Sequence, residues 1–204
     1  MKKIICQGAE ALLIKKDGKL IKERIRKKYR YKSLDEELRK KRTRKEAKLL
    51  KKAAEIINVP EILKVDENKK QIIMKFIPGE KLSESLDSYD LKKAREICRQ
   101  IGKNIALLHD SDIIHGDLTT SNMILYNNKV YFIDFGLGFN SKRIEDKAVD
   151  LHLLKQAFKS KHFKRYEIYF NNVLRGYAKS QNSKIVIQQL KKVESRGRYK
   201  KKNK

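Results

Sequence analysis

The sequence predicts an α+β chain in two lobes, a small antiparallel-strand lobe carrying one long helix and a mainly helical lobe. Three observations predict it. Residues 1–77 alternate short apolar runs with turn signals around one helix-period stripe. "PGE" at 78–80 then breaks the chain. Beyond it the apolar spacing is helical, interrupted by a single hairpin pattern. The expected division is an N-lobe over 1–77, a C-lobe over 78–196 and a basic tail over 197–204, together one domain.

The elements follow in order. "KIICQ" and "EALLIKK" flank Gly8, and "KLIKERI" follows the turn residues Asp17-Gly18. After the basic linker "RKKYRYKS" a long helix is predicted, with Asp35 as N-cap and Asn58-Val59-Pro60 as its stop. Leu38, Leu49, Leu50, Ala53 and Ile57 form its apolar stripe. Two further strands are "EILKVD" and "QIIMKFI". Helices are expected near 90–111, 145–159, 162–179 and 183–195. "NMILY" and "KVYFID" form the hairpin, since paired Asn127-Asn128 tolerate the positive φ of a tight turn. The tail "RGRYKKKNK" is too polar to pack and is expected to move freely unless bound.

Composition narrows the function. The chain carries 51 Lys and Arg against 25 Asp and Glu, a formal +26. Such a field attracts polyanions, nucleic acid first among them. No apolar run is long enough to span a membrane, and the broken apolar start argues against a signal peptide. Cys6 and Cys98 stand apart, as expected for two buried thiols in a reducing cytosol. Histidines and cysteines show no zinc-ligand spacing.

The chemistry centres on "IIHGDLTTSNMIL". Asp117 and Asn122 share this loop, and the hairpin that follows brings Asp134 of "IDFG" back towards them. Their oxygens are hard ligands that suit Mg²⁺ with phosphate oxygens in its shell. Gly136 is expected to let the chain turn away sharply. Lys22 sits mid-strand, on one face with Leu20 and Arg24, and Glu46 lies on the apolar face of the long helix. Both charges are costly there unless paired, so a Lys22–Glu46 ion pair is expected. His109 is expected to bond carbonyls at a helix end and His115 to pack beneath the loop. Asp117 is the candidate for general base or nucleophile orientation.

In this order, a strand lysine, a helix glutamate, Asp-x4-Asn and Asp-Phe-Gly together resemble the protein-kinase superfamily. The resemblance implies ATP and Mg²⁺. It implies that Lys22 holds the α/β-phosphates, that Asp117 is the catalytic aspartate, and that Asn122 and Asp134 hold the metal. "MKFIPG" looks like the inter-lobe hinge, with Met74 as gatekeeper and the backbone at Lys75 and Ile77 bonding adenine. "HGDLTTSN", "GAEA", "RTRKEAKLL" and "EDKAVDLHLL" further resemble the small kinase-like subunits of the KEOPS complex, in eukaryotes the p53-related protein kinase family. That implies an atypical Ser/Thr kinase acting mainly as an ATPase in making threonylcarbamoyladenosine on tRNA in the cytoplasm. Its implied partners are the threonylcarbamoyl-transferase subunit, a small bridging subunit, and tRNA met through basic patches and the tail.

Three departures from ordinary protein kinases stand out. The glycine-rich loop is reduced to "QGAEA", leaving the amides of Gly8, Ala9 and Glu10 to cradle phosphate. Thr119 replaces the lysine that neutralises the transferred phosphate, so turnover is expected to be slow unless the tail or a partner brings a cation. Only 13 residues separate Gly136 from Asp150, too few to dock a peptide, and Asp150 resembles the aspartate that anchors the catalytic loop. Two other functions fit parts of the pattern, a small-molecule phosphotransferase of aminoglycoside-kinase type and a non-catalytic basic RNA-binding or assembly module.

Overall fold

A computed structural model describes residues 2–8 and 10–199. Five strands, β1 (Lys2–Gln7), β2 (Ala11–Lys16), β3 (Lys19–Arg24), β4 (Ile62–Asp66) and β5 (Gln71–Lys75), form an antiparallel sheet in the order β1-β2-β3-β5-β4. Asp17 and Gly18 both take positive φ (48° and 71°), the geometry of a two-residue hairpin turn. β1 lies at the sheet edge and its residues from Lys3 on are exposed, so Cys6 meets solvent. That corrects the expectation of two buried thiols, because an edge strand with no layer over it has no inside face. Cys98 is buried, and burial pushes its thiol up to about 12.

Helix α1 (Lys32–Ala54) packs on this sheet through Ala47, Leu49, Leu50 and Ala53, with Ile57 just beyond it. It begins earlier than expected. Asp35 is not its N-cap but lies in its first turn, fully buried. There the carboxylate accepts from Lys27 N–H (3.1 Å) and Arg39 Nε (2.7 Å), which closes the basic loop onto the helix. Leu38 is only half-buried.

The chain crosses to the second lobe at residues 76–79. A Cβ on Gly79 would stand 2.3 Å from the Leu125 carbonyl, so only glycine allows the crossing to run this close. Next come β6 (Glu80–Lys81), α2 (Leu82–Ser85) and α3 (Leu91–Asp110), which Asp90 caps by accepting from Lys93 N–H at 2.9 Å. Then follow β7 (Ile113–Ile114), β8 (Met123–Tyr126), β9 (Lys129–Phe132), β10 (Phe139–Asn140), α4 (Ile144–Lys161), α5 (Tyr166–Tyr177) and α6 (Ser183–Tyr199). Asn127 and Asn128 form the β8–β9 turn with φ of 49° and 58°, as their chemistry predicts.

α3 and α5 meet backbone to backbone. A Cβ on Gly102 would lie 1.9 Å from Val173 O, and one on Gly176 would lie 2.2 Å from Arg99 O. This contact seats α3, whose end leads into the functional loop. β7 pairs with β10 and β6 with part of β8; the two-residue strands β6, β7 and β10 thereby join distant segments. α6 runs to Tyr199, four residues beyond the predicted end, while 162–165 form a turn rather than the start of α5. Residues 200–204 of the expected tail lie outside the described residues.

Candidate active site

β3 places Lys22 and Arg24 on its inner face, and both are buried (8% and 6% exposed). α1 presents Glu46 beneath them at 2% exposure. Lys22 Nζ donates to Glu46 Oε1 (2.6 Å) and to Asp134 Oδ1 (2.7 Å). Arg24 Nη2 donates to Glu46 Oε2 (2.5 Å). Burial works against the Lys22 charge, but the Glu46 and Asp134 carboxylates outweigh it and hold the ammonium above its ordinary pKa. Burial likewise pulls Asp134 up, yet the Lys22 ammonium and the Gly136 N–H hold its carboxyl below the usual aspartate range.

The opposite wall is the loop between β7 and β8. Asn122 Nδ2 donates to Asp117 Oδ2 (2.8 Å) and to the Asp117 carbonyl (3.0 Å), so the two side chains form one unit. Ile133 N–H donates to the Asn122 carbonyl (3.0 Å), which closes the hairpin and sets Asp134 beside Asn122. Asp150 of α4 holds the loop from below. Its Oδ1 accepts Gly116 N–H and its Oδ2 accepts His115 N–H, each at 2.9 Å. Gly116 takes φ +77°, and a Cβ there would meet Leu137 O at 2.6 Å.

Gly136 was expected to carry the sharp turn, but the left-handed residue is Asp134 itself (φ 64°). A non-glycine residue held there is a strained conformation of the kind that gathers at functional sites. Gly136 serves by smallness instead: a Cβ would stand 2.9 Å from Asp134 Oδ1, the atom that its own N–H holds at 3.1 Å.

His115 lies beneath the loop, its ring 4.7 Å from that of Phe135. Its Nε2 pairs with the Ile133 carbonyl (3.2 Å) and its Nδ1 accepts Asp117 N–H (3.3 Å), a neutral tautomer with both nitrogens used. His109 does not bond helix-end carbonyls. It turns inward, Nδ1 to Tyr177 OH (3.0 Å) and Nε2 to Asp150 Oδ2 (3.3 Å), because the buried Asp150 is the stronger acceptor.

The remaining predicted residues sit as follows. Gly8 N–H donates to Ala11 O (3.0 Å) within the β1–β2 turn. Glu10 is exposed, and its Oε2 accepts from Arg42 Nη1 at 2.5 Å. Ala9 lies outside the described residues. Met74 is buried in β5, opposite Leu20 and Ile62. Lys75 N–H donates to Glu61 O (2.8 Å), and Ile77 lies in the crossing segment. Arg24 was not assigned a role from the pattern, although its place two residues after Lys22 put it on the same strand face.

The donor set fits a divalent metal with phosphate. Among the described residues no three His, Cys, Asp or Glu side chains gather as a closed metal cage. Asp134, Asn122 and Asp117 instead supply a few hard oxygens on one side, which leaves the rest of a coordination shell to phosphate and water.

The family model described as RIO domain matches residues 13–142. The chain is 42% identical to the KEOPS complex subunit Bud32 of Pyrococcus abyssi, covering 97% of this chain and 96% of that protein. It is 40% identical to the EKC/KEOPS complex subunit bud32 of Dictyostelium discoideum, over 97% and 83% respectively. A probable bifunctional tRNA threonylcarbamoyladenosine biosynthesis protein of Methanobrevibacter smithii is 44% identical over 96% of this chain, which spans 36% of that protein's length. A lysine bridging a helix glutamate and an Asp-Phe-Gly aspartate, opposite a paired Asp and Asn, is the arrangement of a phosphoryl-transfer site. With matches of this extent, the chain belongs to the RIO-domain family of atypical kinases, in the branch of the Bud32 subunits.

Proposed function

We propose that this chain is the Mg²⁺-dependent, ATP-hydrolysing kinase-like subunit of a KEOPS-type assembly that makes threonylcarbamoyladenosine on tRNA. One observation carries the reading. Lys22 bridges Glu46 and Asp134 across from the Asp117–Asn122 pair, in a chain similar to Bud32 along nearly its whole length. In this reading Lys22 holds the α/β-phosphates and Glu46 holds Lys22. Asn122 and Asp134 hold the metal, which when bound neutralises charge on the phosphates. Asp117 orients the attacking water or hydroxyl. Met74 and the backbone of Lys75 and Ile77 line the adenine, while the Gly8 amide, expected to cradle phosphate, is instead taken up by the Ala11 carbonyl.

Two features favour water, or a serine of the chain itself, over a docked peptide. The segment after Asp134 is short, and β10 pairs it back onto β7. Thr119 brings no charge beside Asp117, so the isolated chain turns over slowly. Arg196 Nη1 lies 2.7 Å from Glu145 Oε1, at the first turn of α4 just after that segment. In this reading residues 197–204, which follow Arg196 in the chain, supply the missing cation to the transferred phosphate. The partners in this reading are a threonylcarbamoyl-transferase subunit, a small bridging subunit and tRNA, in the cytoplasm. No helix among the described residues is long and apolar enough to cross a membrane.

The test compares ATP hydrolysis by the chain alone, with the transferase subunit, and with tRNA added. Stimulation is expected at each step, with loss of nearly all turnover in Asp134→Asn. Hydrolysis retained in that variant would overturn the site. Phosphate transfer that needs a small added acceptor would favour the aminoglycoside-kinase type instead.

A further inference from the structure

The second threonine of "HGDLTTSN" has no place in the chemistry above. Thr120 is 1% exposed and opens the 3-10 turn Thr120–Asn122 between the two catalytic-loop residues. Its Oγ1 lies 3.1 Å from His162 Nε2. His162, 2% exposed, places Nδ1 2.7 Å from Asp87 Oδ2. Asp87 Oδ1 accepts in turn from Tyr169 OH (2.9 Å). These groups come from four separate stretches: the loop, the turn after α4, the 3-10 turn after α2, and α5.

The proton arrangement is constrained. A carboxylate only accepts, so Nδ1 carries the hydrogen towards Asp87. In the neutral ring Nε2 is then an acceptor, and the Thr120 hydroxyl donates to it. Carboxylate, imidazole and hydroxyl follow the order of a hydrolase triad. A hydroxyl buried to 1% is closed to any substrate, however, so nucleophilic chemistry is excluded and positioning remains. The rings of Phe158 and Tyr169 pack at 5.8 and 5.9 Å from His162, which fixes its plane. Asp87 is the open end of the line. Its side chain is 47% exposed, beside a recess of about 220 Å³ lined by Lys161, His162, Phe163, Lys164 and Arg165.

We propose that the Thr120–His162–Asp87 line positions the catalytic loop, with His162 and Asp87 acting on Asp117 and Asn122 without touching nucleotide. The loop is held from below by Asp150 at Gly116 and from the side by His162 at Thr120, on either side of Asp117. Losing the second hold lets Asn122 shift against Asp134, and small displacements of reacting groups are costly to rate. Lys22 and the hinge are untouched, so nucleotide affinity is not the quantity that changes. The kinetic form of this proposal rests on the ATP-hydrolysis reading above.

The experiment uses the full chain with its transferase partner and measures kcat, KM for ATP and Tm for Thr120→Val, Thr120→Ser, His162→Phe and the Val/Phe double variant. Thr120→Val is nearly isosteric and removes only the hydroxyl. Expected is a drop in kcat of about tenfold in Thr120→Val and His162→Phe, with KM changed less than about twofold. Thr120→Ser restores the rate, and the double variant is no slower than the worse single one. Wild-type kcat in Thr120→Val, failure of serine to rescue, or losses that add would each overturn the proposal. If the wild-type chain proves to have no ATP turnover, the functional reading fails by itself. Amide exchange at Asn122 then decides: about tenfold faster in Thr120→Val and unchanged in Thr120→Ser supports positioning, and equal exchange refutes it.

Discussion

Arg24 Nη2 lies 2.5 Å from Glu46 Oε2, the carboxylate oxygen that Lys22 leaves free. Glu46 is thereby bound at both ends by cations on one strand face, and its rotamer is fixed before any nucleotide arrives. The pairing is incomplete in one respect, since buried Arg24 Nε has no partner.

Arg24→Met tests this fixing. The change leaves one oxygen of a buried carboxylate unpaired, at a cost of about 2 kcal/mol in stability by the usual worth of a charged hydrogen bond. Glu46 is then free to turn, Lys22 loses its brace, and KM for ATP rises more than kcat falls. Urea unfolding and steady-state kinetics check the two effects. An unchanged KM would show that Lys22 needs no second cation to hold Glu46.

The α3–α5 crossing makes a prediction whose sign opposes helix propensity. In an exposed helix Gly→Ala stabilises by about 1 kcal/mol. Here Gly102→Ala puts a methyl within 1.9 Å of Val173 O, so the helices must part. The expected result is destabilisation of about 3 kcal/mol, at the upper end for overpacking. A variant with raised Tm would contradict the close approach of the two helices.

Stability is expected to fall on the acid side through His115. Burial holds this ring's pKa below its ordinary 6.5, against the pull of Asp150, the Ile133 carbonyl, Asp134 and Asp117. The unfolded ring takes up a proton as pH falls through 6.5 while the folded ring stays neutral. Stability therefore declines from there down to the folded pKa and levels below it. Asp134, with its pKa lowered, adds loss only below the ordinary aspartate value of 3.8. Urea midpoints from about pH 8 to about pH 5 should show the decline in the native chain and a shallower one in His115→Gln. Equal slopes would place the titration elsewhere.

Much of the site was legible for a local reason. Lys22 and Glu46 each broke an apolar pattern, and a charge on an apolar face needs a partner wherever that partner lies in the chain. Asn127-Asn128 declared its hairpin, which carries Asp134 back to Asn122. The Asp35 cap was misplaced because its side chain answers to Lys27 and Arg39 as well as to a helix end. The strands β6, β7 and β10 left no trace, since two residues have no period and each pairs with a distant segment.

By itself the sequence determined the order of the lobes, the strands and long helices, and which charged residues require one another, because periodicity, turn chemistry and unpaired charge are carried by neighbouring residues. Tertiary structure decided the rest. It put the strained φ on Asp134 rather than Gly136, the second cation on Glu46, the glycine contact between α3 and α5, and the line from Thr120 through His162 to Asp87. The last three join residues far apart in the chain through a distance of a few ångströms, and such distances exist only once the chain has closed around its core.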